Sequence, residues 1–306
     1  MKTTPLKLDF SISGLQKSGA ALEAASRISV SGVQEKFPVV VDGGVVRLAR
    51  EGERSTHILK PAPWDETIDS RKYIPVNEHL TMQIASKVYG IRTAENALCI
   101  SADGQMAYIT KRFDIAADGS KLEMEDFASV VGRSEQTDGQ YFKYSGSYEE
   151  IATGIRKNVS AWMVDTERLF DLIVFNYIYG NGDDHLKNFS LVRKGEDYRL
   201  APAYDLLNTS LHVRGDDFGL DGGLSPNLVR SDVYGQTGHP CRVDFERFAQ
   251  IIGIKPVRAA RILNRYAAIP GKALDMAEAS PLTEKLKRQY LRVVRERTAR
   301  FNRLSE

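Results

Sequence analysis

In the run Gly180-Asn181-Gly182-Asp183-Asp184-His185-Leu186-Lys187-Asn188-Phe189-Ser190, a carboxylate and an amide are spaced as Asp-x-x-x-x-Asn. The same spacing separates the proton acceptor and the metal ligand of a phosphoryl-transfer loop. Asp183 can accept the proton of an attacking hydroxyl, and the amide oxygen of Asn188 can turn toward a magnesium ion held against ATP phosphates. Spacing alone is weak, so its surroundings carry the reading. An apolar run, Leu169 to Tyr179, leads in. Phe189 to Val192 and Tyr198 to Leu200 lead out as a hairpin around the polar turn Arg193-Lys194-Gly195-Glu196-Asp197. The second strand delivers Pro202-Ala203-Tyr204-Asp205. An acidic residue shortly after such a loop can chelate magnesium, and Asp205 fits that role as well as it fits a helix N-cap before Leu206-Leu207. Asp217-Phe218-Gly219 spells another metal-binding tripeptide, but its polar and Gly-rich flanks predict a surface loop.

Phosphates also need a cation and a cover. Ser55-Thr56-His57-Ile58-Leu59-Lys60 is a short β-type run that ends in an ammonium suited to the α- and β-phosphates. Leu80, Ile84 and Val88 have helical spacing in a segment opened by Val76-Asn77-Glu78-His79. Glu78, in its first turn, could orient Lys60 or simply face solvent near the helix N-terminus. For the cover, Ile28-Ser29-Val30-Ser31-Gly32-Val33-Gln34-Glu35-Lys36 precedes the stretches Phe37 to Val41 and Val45 to Ala49, which the turn Asp42-Gly43-Gly44 predicts to be a hairpin. Backbone amides around Ser31 and Gly32 could bend about an anion. No Walker or Rossmann glycine pattern occurs. A near copy, Ser11 to Lys17, has no comparable hairpin after it.

Taken in order, Ser29 to Lys36, Ser55 to Lys60, Asn77 to Leu80, Lys111-Arg112-Phe113-Asp114, Asp183 to Ser190 and Ala203-Tyr204-Asp205 resemble the signature blocks of HipA-type serine/threonine kinase toxins. The resemblance spans roughly residues 28 to 210. It implies Asp183 as catalytic base, Asn188 and Asp205 as magnesium ligands, Lys60 on the phosphates of ATP, and Lys111 and Phe113 beside the adenine. His185 and Lys187 would steady the transferred phosphoryl group, and Ser29 and Ser31 would be autophosphorylated. With few residues ahead of the serine loop, and a Ser-x-Ser pair within it, the chain is most similar to the short HipT kinase of three-gene HipBST systems. That subtype implies as partners a small protein supplying the missing N-terminal subdomain, a DNA-binding antitoxin, and a protein substrate such as an aminoacyl-tRNA synthetase. DNA would be approached only through the antitoxin.

These residues must be carried by an α+β fold. Between Phe37 and Tyr108 the order strand, strand, helix, strand, strand predicts a β-rich N-lobe, residues 1–113. Mostly helical spacing beyond it predicts a helical C-lobe, residues 114–306, with a cleft between, as in protein kinases. The 306 residues, 42% hydrophobic and 27% charged with net charge +2, suit a globular enzyme and do not advertise nucleic-acid binding. No apolar run has membrane-spanning length and the N-terminus lacks a signal-peptide core, so a cytoplasmic protein without membrane contact is expected. Cys99 and Cys241 are expected to be reduced structural thiols. Ser134 to Ser147 is expected to be an excursion near substrate or an inert surface loop. The basic segment from Glu284 to Arg303 is expected to be a helix with an apolar stripe. Two further function classes fit the loop. One is a small-molecule phosphotransferase of the aminoglycoside-kinase type, though Asn181-Gly182 stands where His-Gly is typical. The other is a catalytically silent, antitoxin-binding scaffold, which would have no need of Lys60, Asp183, Asn188 and Asp205 together.

Overall fold

The computed structural model describes residues 6–17, 34–213 and 215–303. The mixed α/β chain begins with a closed six-stranded barrel. Its strands are β1 (Leu6–Leu8), β2 (Phe37–Asp42), β3 (Val45–Leu48), β4 (His57–Lys60), β5 (Asn96–Ile100) and β6 (Met106–Lys111), in the spatial order β1-β3-β2-β4-β6-β5. The turn between β2 and β3 has two residues, Gly43 and Gly44, with φ of +56° and +84°. Positive φ at both centres matches the twist of a tight hairpin, which is why this turn is legible from Asp-Gly-Gly. Closure was not foreseen: β1 has only three residues, and it seals the barrel by pairing in parallel with both β3 and β5. The near-copy motif Ser11 to Lys17 follows it as a short helix, Ile12–Gln16, capped by the Ser11 side chain.

Inside the barrel, alternate residues such as Phe37, Val39, Val46, Leu59 and Ile109 form one apolar cluster. A larger cluster fills the rest of the molecule, around the helices Tyr148–Asn158, Trp162–Tyr179, Arg242–Ile251 and Glu284–Phe301. The helix Ile74–Lys87 contacts β5 and β6, yet its Val76, Leu80 and Ile84 belong to this larger cluster. It starts two residues before the expected Val76, so Glu78 lies beyond the first turn.

Trp162–Tyr179 carries Asp165, Glu167, Arg168 and Asp171 in its first part, and from Leu172 to Tyr179 it is mostly apolar and buried at every position. Gly180 ends it in the left-handed conformation, at φ +70°. A Cβ there would stand 2.8 Å from Val293 and 2.9 Å from Asn208, so glycine alone fits both the turn and the space. Past the loop come β8 (Ser190–Lys194) and β9 (Asp197–Leu200), which with β7 (Met124–Asp126) make a three-stranded sheet. The basic helix Glu284–Phe301 packs against Trp162–Tyr179, with Leu286, Tyr290, Leu291 and Val294 buried. Among the described residues no helix is long and apolar enough to cross a membrane, and Cys99 and Cys241 are free and buried.

Candidate active site

The loop after Gly180 owes its shape to a carboxylate that the sequence reading passed over. Asp184 is buried, and its oxygens accept hydrogen bonds from the Tyr148 hydroxyl, the Gly219 backbone N–H at 2.9 Å and Asn176 Nδ2 at 3.0 Å. Burial pushes Asp184 up to about 7, against the pull of those donors. Asn181 closes on Asn176, and Gly182 N–H donates to Thr209 Oγ1 at 2.9 Å. Asp183, next to this anchor, therefore has a fixed backbone and a side chain that faces a cavity of about 690 Å³. The Tyr144 hydroxyl donates to its Oδ1 at 2.9 Å. Asn188 Nδ2 donates to the Asp183 carbonyl at 2.9 Å, which leaves its amide oxygen as the group to offer a cation.

Across the cavity, β4 ends in Lys60, whose ammonium is buried between Glu78 Oε1 at 2.7 Å and Asp205 Oδ1. Burial would lower Lys60, but the two carboxylates outweigh it and hold it protonated. Burial alone would likewise raise Asp205, yet Lys36, at 3.3 Å, and Lys60 keep it well below the ordinary carboxylate range. Asp205 thus already stabilises two positive charges. It lies in neither setting expected of it: β9 ends at Leu200, no helix begins at Leu206, and Asp205 sits in left-handed backbone at φ +57°. That conformation is open to few residue types besides Gly, Asn and Asp. The donor set fits a divalent ion and a nucleotide. Asp205 and the Asn188 oxygen would hold the ion, and Lys60 and Lys36 would meet phosphate oxygens. Among the described residues no cluster of three His, Cys, Asp or Glu side chains offers another metal centre.

Lys60, Glu78, Asp183, His185, Lys187, Asn188 and Asp205 all line this one cavity, as do Lys111 and Phe113 at the end of the barrel. Lys111 is half exposed and 3.6 Å from Glu95, while Phe113 packs on Tyr204 with ring centroids 5.5 Å apart. His185 is buried, pushed down to about 4 by that burial, and among the described residues its Nδ1 has no hydrogen-bond partner. Lys187 pairs with Asp126 at 2.6 Å. Ser29, Ser31 and Gly32 lie outside the described residues; Gln34 and Lys36, just after them, line the cavity.

Two expectations are corrected. Asp217-Phe218-Gly219 is not a surface loop: Asp217 pairs with Arg297 at 2.7 Å, Phe218 packs on Tyr148 and Tyr177, and Gly219 abuts the Asp184 backbone. Nor is Ser134 to Ser147 inert, since it carries Tyr144 to the Asp183 carboxylate and buries Lys143. Tyr144, Lys143, Lys36 and Asp184 were not singled out from sequence. Asp184 adjoins Asp183 and Lys36 ends the serine block, whereas Lys143 and Tyr144 lie far from the loop in sequence and carried no local signal.

The HipA-like C-terminal domain family matches residues 28–273. The candidate kinase Y4mE of Sinorhizobium fredii is 32% identical over 190 residues, covering 60% of this chain and 43% of Y4mE. The serine/threonine-protein kinase toxin HipA of Shewanella oneidensis is 26% identical over 229 residues, covering 66% of this chain and 49% of that protein. The chain spans about half the length of the curated relatives it matches. Among solved structures, the Shewanella oneidensis complex of HipA, HipB and operator DNA aligns with a TM-score of 0.67 at 21% identity, over 89% of this chain and 65% of that one. The Helicobacter pylori proinflammatory kinase CtkA aligns with a TM-score of 0.52 at 13% identity, over 86% and 93%. At such identities these two alignments speak to fold.

Proposed function

The chain belongs to the HipA-like C-terminal domain family, and from that premise we propose that it is an ATP- and magnesium-dependent serine/threonine protein kinase of a toxin–antitoxin system. One observation carries the reading. Lys60, Asp183, Asn188 and Asp205, drawn from widely separated segments, meet at a single cavity whose volume is that of a small-molecule site. Residues 1–113 would form the N-lobe and 114–306 the C-lobe of a two-lobed kinase fold, with this cavity as the cleft.

When bound, magnesium ATP supplies the transferable phosphoryl group. Asp183 takes the proton of the acceptor hydroxyl as that oxygen bonds the γ-phosphorus and the bond to the ADP oxygen breaks. Lys60, steadied by Glu78, would offset phosphate charge, and Asn188 and Asp205 would hold the cation. His185, neutral at physiological pH, adds no charge of its own, and Lys187 approaches from the Asp126 side. Lys111 and Phe113 border the adenine end.

Further parts of the reading rest on sequence resemblance. The chain acts as a HipT-type kinase, located in the cytoplasm, on a translation component such as an aminoacyl-tRNA synthetase. Its partners are a small N-subdomain-like protein and a DNA-binding antitoxin, in keeping with the HipA–HipB–DNA complex among its structural neighbours. Phosphate on Ser29 or Ser31 would bring close to two negative charges to the space of the ATP phosphates and shut the enzyme off. Incubation with labelled ATP and magnesium, followed by phosphosite mapping, tests the proposal. Label is expected on Ser29 or Ser31, lower by about a hundredfold or more in Asp183→Asn. Absence of label from the wild type, or equal labelling of the variant, refutes it.

A further inference from the structure

The 3₁₀ turn Phe142–Tyr144 sets two side chains against the catalytic loop. Tyr144 donates its hydroxyl proton to Asp183 Oδ1 at 2.9 Å, and its ring meets His185 edge-on at 5.1 Å. Lys143 lies with its ammonium 4.8 Å from the centre of the Tyr144 ring. The turn itself is fastened. The Tyr144 carbonyl accepts from Asp221 N–H at 3.0 Å, Gly146 N–H donates to the Asp221 carboxylate at 2.8 Å, and Arg133 spans the Ser145 carbonyl and Glu150.

Lys143 is unusual among the lysines here. Only 9% of it is exposed, yet among the described residues no carboxylate stands within ion-pairing distance, whereas Lys60 has two and Lys36 and Lys187 one each. A buried cation without an anion is costly, and burial lowers the pKa of Lys143 accordingly. Asp183, His185 and Lys187 lie in its electrostatic neighbourhood. Asp183 offsets part of that cost, and a phosphoryl group beside Asp183 would offset more of it.

We infer that Lys143 and Tyr144 complete the phosphoryl-transfer centre, Tyr144 as the positioning residue that fixes the Asp183 carboxylate and Lys143, which stands against the Tyr144 ring and outside the cavity lining, as a buried positive charge that offsets the phosphoryl charge at a distance. The inference rests on the kinase reading and extends it. With Oδ1 occupied by Tyr144, the carboxylate cannot rotate freely and Oδ2 is left for the acceptor hydroxyl. Tyr144 stays a donor throughout, since burial and then Asp183 raise its pKa well above the ordinary phenol value.

The test compares the purified full chain with Tyr144→Phe, Lys143→Met and Lys143→Arg. It measures the initial autophosphorylation rate at saturating magnesium ATP, nucleotide affinity by calorimetry, and melting temperature. Tyr144→Phe and Lys143→Met should each slow the saturated rate by about tenfold or more, with nucleotide affinity within about twofold of wild type. Lys143→Arg, which restores the charge, should recover most of that loss at a melting temperature no higher than that of Lys143→Met. Wild-type rates in both Tyr144→Phe and Lys143→Met overturn the inference, as does an arginine variant no faster than the methionine one. A wild type that transfers no phosphate ends the kinase reading, and this inference with it; an active wild type with unaltered variants ends this inference alone.

Discussion

His185 and Asp184 are neighbours whose burial has opposite consequences for acid stability. Burial holds His185 at about 4 against 6.5 when unfolded, so the native state binds fewer protons than the unfolded one between those values. Its share of stability is therefore complete above pH 6.5 and is lost as pH falls toward 4, on the order of 3 kcal/mol in full. Asp184, raised to about 7 by burial, works the other way and costs stability as pH rises from about 4 to 7. In the wild type the two trends offset. His185→Gln removes one of them, so its deficit in urea-unfolding free energy relative to wild type should narrow as pH is lowered from 6.5 to 4. An unchanged deficit would show that His185 does not titrate as its burial implies. Neither effect was legible in the sequence, which lists both side chains in a polar loop. Asp183 and Asn188 were legible because their relation is local; Lys36 and Tyr144 were not, because tertiary structure alone brings them near Asp205 and Asp183.

At the level of elements, the loop from Asp183 to Asn188 is held from outside by the segment carrying Asp217-Phe218-Gly219. A Cβ on Gly219 would stand 2.5 Å from the Asp184 backbone N, and its next neighbours are backbone atoms too, so nothing flexible can yield. Gly219→Ala should cost about 1–3 kcal/mol and reduce phosphotransfer by displacing the loop. Gly235→Ala is the control: it lies in the helix Asp232–Thr237 with none of the described residues within 4 Å of its added methyl, and should gain up to about 1 kcal/mol. Thermal melts and the labelling assay separate the two, and equal behaviour would contradict the packing described. The elements themselves were largely readable. The hairpin β2–β3, the strands β5, β6, β8 and β9, and the helices Trp162–Tyr179 and Glu284–Phe301 follow local turn residues and apolar spacing. What the tripeptide touches does not follow from its own polar flanks.

Across the whole molecule, Asp205 links two lysines of the barrel side, Lys36 and Lys60, to the segment beyond β9. Ligand binding to the native state alone must raise its stability, by about 2.7 kcal/mol at a hundred times the dissociation constant. Magnesium ATP should therefore raise the melting temperature of the wild type and fail to do so for Asp205→Asn, a change that the left-handed backbone tolerates. An equal rise in both would remove Asp205 from the nucleotide site. Barrel closure was the least readable feature, because three residues of β1 pair with strands far along the chain. The helix Ile74–Lys87 has a wider consequence. It follows β4 and touches the barrel, but Val76, Leu80 and Ile84 find their cover in the larger apolar cluster. A gene split after Phe113 would thus yield one fragment with an uncovered greasy stripe and another with a matching hollow. Produced separately, the pieces should aggregate; produced in the same cell, they should be recovered as a soluble non-covalent pair, which pull-down of one tagged piece would reveal.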